Sequence, residues 1–299
     1  MKKRIIYLLL IIICIYVIVI NIDKREIISN NAVVLIKTYQ QNHFYKKGNG
    51  FIYKIDDYCY ILTNYHVIAD SESVNIFIND EKIKGHILNY DEYEDLAIIV
   101  INRKYCTHKL ELESIDSISK NDKITIITSQ EKKNGKIINN TRHIKFNYDN
   151  HNKMLDLMEL QATINKGDSG SPAINKDNKV IGIITMTSND NHVFAIPINS
   201  ILNKINSLED GYIYRVNLGI KATNNMQDLK GVLLEEVYDK ELASIVGLKQ
   251  GDIIVKLNDI NIEDVSDFRY YLYKIKRYEL FEIGYYRNGI YYTTIIMGI

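Results

Sequence analysis

The sequence predicts a mainly β protein in which two β-barrels are followed by a small α+β domain and preceded by one transmembrane helix. Three observations predict this architecture. Short runs of β-branched and aromatic residues, broken by Asn, Asp and Gly, follow one another from residue 32 to about residue 200, as in barrels built from many short strands. A glycine-led strand and a helical pattern then indicate a separate module over 216–299. At the start of the chain, Ile5 to Ile22 is almost entirely apolar and carries no charge.

The N-terminal apolar segment has the length of a membrane span. It is just long enough to cross a bilayer, and Met1-Lys2-Lys3-Arg4 before it is basic. No Ala-x-Ala-like cleavage site follows it, so we favour an uncleaved signal anchor over 1–22 to a cleaved signal peptide. By the positive-inside rule the basic end stays in the cytoplasm. The rest of the chain, beginning with a polar stem over 23–31, is then expected on the extracytoplasmic side of the cell membrane.

Turn residues divide the barrel region into short strands. The predicted strands are Val33 to Thr38, Gly50 to Lys54, Cys59 to Thr63, Ser73 to Ile78, Leu96 to Ile101, Lys123 to Ile127, Lys179 to Thr187 and Val193 to Ile198. Apolar residues at helical spacing over 199–207 predict a helix that closes this domain. We therefore place the first domain at 32–207, a linker at 208–215 and the second domain at 216–299.

The composition excludes several classes of function. The 299 residues contain 37 basic and 37 acidic side chains, so no net field favours a nucleic acid as a partner. The three cysteines, Cys14, Cys59 and Cys106, lack metal-ligand spacing, and we predict no metal or other cofactor. A disulfide between Cys59 and Cys106 is conceivable outside the cell, but we favour two small unlinked hydrophobic residues in strands.

Three short motifs predict a serine nucleophile with its base. Ser169 lies in a Gly-Asp-Ser-Gly turn, His66 follows a short apolar run, and Asp95 precedes Leu-Ala-Ile-Ile-Val. A serine hydroxyl is a weak nucleophile at neutral pH and needs a base that a third group holds in place. Taken alone, the serine motif is more typical of a turn, His66 of a structural histidine and Asp95 of the start of a strand than of an active site. The order His, Asp, Ser is that of the chymotrypsin fold, so we predict His66 as the base, Asp95 as its orienting group and Ser169 as the nucleophile.

The residues before Ser169 predict how the substrate is held. Gly167 and Gly170 permit a tight backbone, and the N–H groups of Gly167 and Ser169 are the predicted donors of an oxyanion hole. In this fold the floor of the primary specificity pocket lies six residues before the nucleophile, at Thr163. Because Thr163 is small and neutral, we predict cleavage after small aliphatic residues such as Val, Ala, Ile or Thr.

These motifs resemble those of the HtrA/Deg serine proteases. In that family Gly-Ser-Gly-Phe precedes the histidine strand, where this chain has Gly48-Asn49-Gly50-Phe51, and Leu-Thr-Asn-Asn-His-Val-Ile surrounds the histidine, where Tyr65 replaces the second Asn. The family's Gly-Asn-Ser-Gly-Gly-Pro corresponds to residues 167–172, which read Gly-Asp-Ser-Gly-Ser-Pro. Ser171 therefore stands in place of a glycine. The family's Gly-Asn-Pro-Phe-Gly segment is not recognisable in Ser129–Gly135.

The C-terminal module resembles a circularly permuted PDZ domain of bacterial proteases. The resemblance rests on a Gly-Leu-x-x-Gly-Asp-x-Ile run over 247–254, followed by a predicted helix over Val265 to Ile275 and strands over 279–286 and 290–297. Such domains bind an extended C-terminal peptide as an added strand, and a glycine-led loop holds its carboxylate. We predict that loop at Gly231, Val232, Leu233 and Leu234, with a purely structural strand and turn as the alternative.

The resemblance implies a membrane-anchored, ATP-independent serine endopeptidase that cleaves unfolded or stress-signalling proteins and is regulated by peptides bound to its PDZ domain. It also implies a homotrimer. The alternative from a different class is a weakly active or inactive protease-like chaperone or peptide-sensing scaffold, which the changes at Ser171 and in Ser129–Gly135 favour. An intracellular protein would require residues 1–22 to be something other than a membrane segment. The physiological substrate, and the choice between a general degrader and a signalling sensor, are open at this stage.

Overall fold

The structure is a computed structural model, and it describes residues 31–78, 81–114, 118–148, 151–187 and 192–299. The chain divides into two compact units. The first contains Asp156–Tyr212 and the chain up to Arg142, and the second contains His143–Leu155 and Ile213–Ile299. In the part of the chain that the structure describes, no helix is both long and apolar enough to span a bilayer. The predicted anchor over 1–22 and all but the last residue of the predicted stem lie outside the described residues.

The first barrel closes through six antiparallel strands. They are β1 (Val33–Gln40), β2 (His43–Ile55), β3 (Tyr58–Thr63), β4 (Ser73–Ile78), β5 (Glu81–Asp91) and β6 (Leu96–Asn102), and their order around the barrel is β1-β2-β3-β6-β5-β4. The inward positions are fully buried β-branched residues such as Ile36, Ile61 and Ile99. These side chains suit a pleated, buried surface, and the barrel leaves no open edge for other chains to pair with.

A disulfide fastens the end of this barrel. Cys59 of β3 is bonded to Cys106, which follows a 3₁₀ turn over Arg103–Tyr105, with 6.3 Å between their Cα atoms. The sequence-based preference for two unlinked cysteines was wrong. The reason is that the turn after β6 returns the chain to β3, a contact that the spacing of the cysteines does not reveal. The two residues are 47 apart in sequence, and closing a loop of that length contributes roughly 4 kcal/mol in the chain-entropy model.

The second barrel also closes through six antiparallel strands. They are β7 (Lys123–Ile127), β8 (Lys132–Tyr148), β9 (His151–Gln161), β10 (Pro172–Ile174), β11 (Val180–Thr187) and β12 (His192–Pro197), in the order β10-β11-β12-β9-β8-β7. Helix α2 (Ile198–Glu209) follows β12, and a one-turn helix α1 (Tyr65–Ile68) lies between β3 and β4. Helix α2 buries Ile198, Ile201, Ile205 and Leu208 on one face. The predicted closing helix over 199–207 is therefore confirmed, with one further residue at its start and two at its end.

The C-terminal module is a sheet covered by two helices. Its elements are β13 (Ile220–Asn224), β14 (Val232–Val237), α3 (Leu242–Ile245), β15 (Ile253–Leu257), β16 (Ile260–Asn261), α4 (Val265–Leu272), β17 (Leu280–Arg287) and β18 (Ile290–Met297). The sheet order is β13-β14-β15-β17-β18, with β16 paired to β15. Leu234, Ile254, Phe268, Phe281 and Ile283 belong to its buried core. Helix α4 begins at Asp264, whose side chain accepts a hydrogen bond from Asp267 N, a typical N-cap.

The Gly-Asp of the 247–254 run has a structural role in this module. The side chain of Asp252 is 1% exposed and accepts two hydrogen bonds of 2.7 Å from the guanidinium of Arg287, one from Nε and one from a terminal nitrogen. Asp252 also accepts from Lys249 N at 2.7 Å. Hydrogen bonding to Asp252 raises the pKa of Arg287 above its ordinary value. A bidentate buried pair of this kind holds the turn before β15 in one arrangement.

Candidate active site

Loops at one end of the two barrels bring the predicted catalytic residues together. Strands β3 and β6 pair, with Thr63 opposite Ala97, so His66 on α1 and Asp95 before β6 emerge side by side. Ser169 lies in the loop before β10, which pairs with β11. The predicted base and its partner therefore lie on the first barrel, and the predicted nucleophile lies on the second.

Asp95 holds the imidazole of His66 from one side. Nδ1 of His66 lies 2.9 and 3.0 Å from the two carboxylate oxygens of Asp95, and the backbone N–H of His66 donates to the same carboxylate at 2.9 Å. Thr185 Oγ1 donates to Asp95 Oδ2 at 2.6 Å. Because an ionised carboxylate only accepts hydrogen bonds, Nδ1 must carry the proton, which leaves Nε2 as the acceptor that a general base needs.

Asp95 adopts a backbone conformation that few residue types tolerate. Its φ is +54°, in the left-handed region where Asn and Asp are enriched among non-glycine residues. Asn64 Nδ2 donates to the carbonyl oxygen of Asp95 at 3.1 Å and fixes this conformation. The left-handed bend turns the carboxylate toward His66 instead of along β6.

Ser169 contacts the same threonine as Asp95. Its Oγ donates to the carbonyl oxygen of Thr185 at 3.3 Å, and among the described residues no hydrogen bond joins Ser169 to His66. Catalytic hydrogen bonds are often loose before substrate binds.

The turn over Asn165–Asp168, here called the oxyanion turn, has a defined geometry. Asp168 N donates to Asn165 O at 3.0 Å, which closes a β-turn. Gly167 has φ +103°, whereas Lys166 is not among the residues with positive φ. A positive φ at the third position alone defines a type II turn. In this turn the peptide between Lys166 and Gly167 is reversed relative to a type I turn, which sets the direction of the Gly167 N–H.

The two predicted oxyanion donors are unoccupied by the protein itself. Within the described ranges, the N–H groups of Gly167 and Ser169 donate to no protein acceptor. Gly170 has φ +84°, and a Cβ built there would lie 1.9 Å from the carbonyl oxygen of Asn49. Gly170 must therefore be glycine for Ser169 to approach strand β2.

Asn49, which the sequence analysis did not select, ties the oxyanion turn to the first barrel. Its Nδ2 donates to Gly167 O at 2.8 Å, its backbone N–H donates to Ser169 O at 2.7 Å, and its Oδ1 accepts from Ser129 N at 2.9 Å. The side chain is buried. The sequence signal for a functional role was the position of Asn49 between Gly48 and Gly50, where the HtrA/Deg motif has a serine.

Ser171, the departure after the nucleophile, fits without strain. It is fully buried, its backbone lies outside the left-handed region, and its Oγ has no hydrogen-bond partner in the structure as described. Ser171 N donates to Asp168 O at 3.1 Å, and Ile184 N donates to Ser171 O at 2.9 Å. A Cβ is therefore accommodated where the resemblance has glycine.

Thr163 lies before the oxyanion turn, and its side chain is exposed. A cavity of about 510 Å³ adjoins the other side of the turn, and its lining includes Asn49, Lys47 and Lys166 but not Thr163. The role of Thr163 in substrate choice stays a prediction. Among the residues that the structure describes, no group of three or more His, Cys, Asp or Glu side chains is placed to hold a metal ion.

The predicted peptide loop of the C-terminal module needs correction. Val232, Leu233 and Leu234 lie in β14, which pairs with β13 on one side and with β15 on the other. Gly231 O accepts from Asn225 N at 2.9 Å. A strand whose two edges are both paired has no free backbone groups for an added strand, so this segment cannot take the peptide by strand addition.

One closed barrel contributes a hydrogen-bonded histidine and aspartate, and the other contributes a serine in a turn flanked by glycines. This arrangement defines a serine endopeptidase of the trypsin-like class. A model of the trypsin-like peptidase domain matches residues 48–183, and a model of the PDZ domain matches residues 216–294. The chain is 31% identical to the serine protease Do-like HtrA of Lactococcus lactis subsp. lactis, over 81% of this chain and 68% of that protein. The chain belongs to the HtrA family of serine proteases and carries one PDZ domain.

A second relative and two solved structures are also similar to this chain. The chain is 28% identical to a serine protease HtrA-like protein of Staphylococcus aureus, over 77% of this chain and 34% of that protein. In fold it is similar to the HtrA-type protease AlgW solved with a decapeptide, with a TM-score of 0.69 at 19% identity over 91% of this chain and 96% of the other. The serine endoprotease from Yersinia pestis gives a TM-score of 0.67 at 21% identity over 92% and 96%.

Proposed function

We propose that this protease is a membrane-anchored, ATP-independent endopeptidase that cleaves unfolded or exposed segments of other proteins through a Ser169 acyl-enzyme. The observation that carries the proposal is the double contact between His66 and Asp95, with Nδ1 at 2.9 and 3.0 Å from the carboxylate. That contact leaves Nε2 as the base, and the type II oxyanion turn beside Ser169 supports the two N–H donors.

The proposed reaction proceeds in two half-reactions. His66 Nε2 takes the proton of Ser169 Oγ while Oγ attacks the peptide carbonyl carbon, and the N–H groups of Gly167 and Ser169 bind the oxygen that becomes negative. The imidazolium then gives the proton to the leaving amine, and the peptide C–N bond breaks. In the second half-reaction, water loses a proton to His66 and attacks the acyl-enzyme carbonyl carbon. The imidazolium then returns that proton to Ser169 Oγ as the ester C–O bond breaks, which releases the new carboxyl end and restores Ser169.

The anchor and the cellular location also form part of the proposal. The basic start and the uncharged segment Ile5 to Ile22 support an N-terminal anchor. The Cys59–Cys106 disulfide supports an oxidising compartment, since such bonds are rare in the cytosol. We therefore place the protease and PDZ domains on the extracytoplasmic side of the cell membrane.

A pair of fluorophosphonate probes tests function and location separately. A membrane-permeant probe in cell lysate is expected to label Ser169, and His66→Ala is expected to slow labelling about 10³-fold or more, because the serine loses its base. His86→Ala, a change at an exposed histidine on β5, is the matched control and should label normally. A membrane-impermeant probe should label the wild-type protein on intact cells.

The outcomes separate the two claims. Labelling by the permeant probe in lysate without labelling of intact cells would contradict the location only. No labelling of the wild-type protein by either probe would contradict the enzyme and favour a peptide-sensing scaffold or chaperone.

The PDZ domain is proposed to regulate the protease by binding C-terminal peptides at β13. Strand β13 is an edge of the sheet, so it has the open backbone groups that β14 lacks. It is entered through Gly219, with φ +68°. Helix α4 lies beside it, and Val265 N donates to Asn224 Oδ1 at 2.8 Å. A strand edge next to a helix is the kind of groove that holds an extended peptide.

Hydrogen exchange distinguishes the two strands as peptide sites. A peptide with a hydrophobic C-terminal residue is expected to slow amide exchange over 219–224 and to leave 232–234 unchanged, because β14 is already paired on both edges. The same peptide with an amidated C-terminus is the control. It should bind at least about tenfold more weakly, since its carboxylate is removed. Protection confined to 232–234 would refute the placement at β13.

A further inference from the structure

The residue before the nucleophile carries a buried charge that the catalytic mechanism does not use. Asp168 occupies the last position of the oxyanion turn, and its side chain is 12% exposed. Its Oδ2 accepts a hydrogen bond from Asn165 N, the first residue of the same turn, at 2.7 Å. The carboxylate therefore braces the turn from within, in addition to the backbone bond from Asp168 N to Asn165 O. The family motif quoted above has a neutral Asn at this position.

Lys133 neutralises this carboxylate from the second barrel. It lies at the start of β8, its side chain is 11% exposed, and its Nζ lies 2.5 Å from Asp168 Oδ2. Glu131 approaches the same ammonium at 3.2 Å, but its side chain is 56% exposed. Burial works against the charged form of Lys133, yet the hydrogen bonds to Asp168 and Glu131 prevail and raise its pKa above the ordinary value. Lys133 thus stays charged and holds Asp168 in place.

We propose that Lys133 is a positioning residue for catalysis, which holds the oxyanion turn in its type II form through Asp168. The proposal rests on the proposed protease function. Without the ammonium, the largely buried carboxylate of Asp168 has no counter-charge. An unpaired buried charge is unfavourable, and its free energy falls when the group moves toward water. Asp168 cannot move outward without releasing Asn165 N and opening the turn. The Gly167 N–H would then leave the direction in which it meets the substrate oxygen.

The contacts of Asn49 define which part of the turn depends on Lys133. Asn49 fixes the carbonyl groups of Gly167 and Ser169, and these lie on the C-terminal side of the turn. The peptide between Lys166 and Gly167 has no such clamp from the first barrel. Among the described residues, the hydrogen bonds that span this peptide are the two that join Asp168 to Asn165. Lys133 is therefore coupled to one oxyanion donor, that of Gly167, more than to the serine itself.

Steady-state kinetics on the full-length protein test the proposal. Lys133→Met is expected to lower kcat about 100-fold, the effect of losing one oxyanion donor, with KM changed by about threefold or less. Lys133→Arg keeps the charge and should stay within about tenfold of wild type. Lys136→Met, an exposed lysine on the same strand, is the matched control and should behave as wild type.

A second substitution separates positioning from general stability. In Lys133→Met combined with Asp168→Asn, no buried charge remains, and the amide oxygen still accepts from Asn165 N. The double variant is expected to recover kcat about tenfold or more over Lys133→Met. Wild-type kcat in Lys133→Met, or a double variant no better than the single one, would overturn the proposal. Lys133→Gln serves in the same comparison if the Met variant does not fold.

Amide hydrogen exchange gives a readout that does not need protease activity. Exchange over 163–171 should be faster in Lys133→Met than in wild type and should slow again in the double variant. A wild-type protein without hydrolysis or probe labelling would refute the proposed function, and the exchange result would then decide the role of Lys133 alone. Unchanged exchange in the Met variant would overturn that role.

Discussion

Ser169→Ala is expected to lower kcat for casein hydrolysis by about 10⁶-fold, the loss seen when the nucleophile of a serine protease triad is removed. In the proposed mechanism, the Oγ of Ser169 is the protein atom that forms a covalent bond to the substrate. The backbone around it should be unaffected, because the carbonyl of Ser169 keeps its 2.7 Å bond from Asn49 N. The residual rate is that of an oxyanion hole and binding site without a nucleophile. Initial rates at saturating casein, measured for purified wild-type and variant protein, give the comparison.

Ser171→Ala is the matched control for this prediction. It is the same substitution two residues along the same loop, and it removes a buried hydroxyl that has no partner among the described residues. The loss of such a hydroxyl should leave kcat and stability close to wild type. Casein hydrolysis that survives in Ser169→Ala would contradict the assignment of the nucleophile. Equal loss in both variants would instead point to damage of the loop.

Asp95→Asn is expected to lower kcat about 10⁴-fold with little effect on the fold. Asn tolerates the left-handed backbone of Asp95, where φ is +54°. The amide, however, presents an N–H₂ group toward His66 Nδ1 or Thr185 Oγ1, both of which now donate to the carboxylate. An imidazole that accepts at Nδ1 carries its proton on Nε2 and cannot take one from Ser169. Hydrolysis rates together with thermal unfolding measure the two effects separately.

Asp70→Asn is a closely matched control for the aspartate. Asp70 also has a left-handed backbone, with φ +60°, but its side chain is 72% exposed and its ion pair with Lys46 spans 3.9 Å. Exposed pairs of this kind contribute little, so activity and stability should stay at the wild-type level. Asp95→Asn with near-wild-type kcat would mean that His66 is oriented by some other group.

The triad could be predicted from the sequence because each member sits in its own short pattern. His66 follows a strand, and Asp95 directly precedes one. Ser169 lies between Gly167 and Gly170, and glycines at this spacing are typical of a tight turn. Most barrel strands could also be predicted, since alternating or fully apolar runs are local features. The structure has strands at all eight predicted places and brings His66 and Asp95 into contact. Strands β5, β8, β9 and β10 were not predicted.

Features that depend on distant partners could not be predicted. Asn49 donates a hydrogen bond to Gly167, which is 118 positions away in the sequence. The residues around Asn49 do not indicate this contact. The position of Gly231 in the PDZ-like module predicts a carboxylate-binding loop there, but a sequence pattern does not reveal that Val232–Leu234 form a strand paired on both edges. The Cys59–Cys106 bond depends on the direction of a single turn, Arg103–Tyr105.

Because of the hydrogen bonds of Asn49, the geometry of the active site also depends on the contact between the two barrels. Asn49 on strand β2 of the first barrel donates a hydrogen bond to the oxyanion turn, and Thr185 of the second barrel donates one to Asp95. Separation of the barrels would break the hydrogen bonds to the carbonyl oxygens of Gly167 and Ser169 and the hydrogen bond from Thr185 to Asp95, with both sheets still intact. The positions of the predicted nucleophile and base therefore depend on contacts that neither barrel makes alone, so the geometry of the site depends on how the two barrels pack against each other.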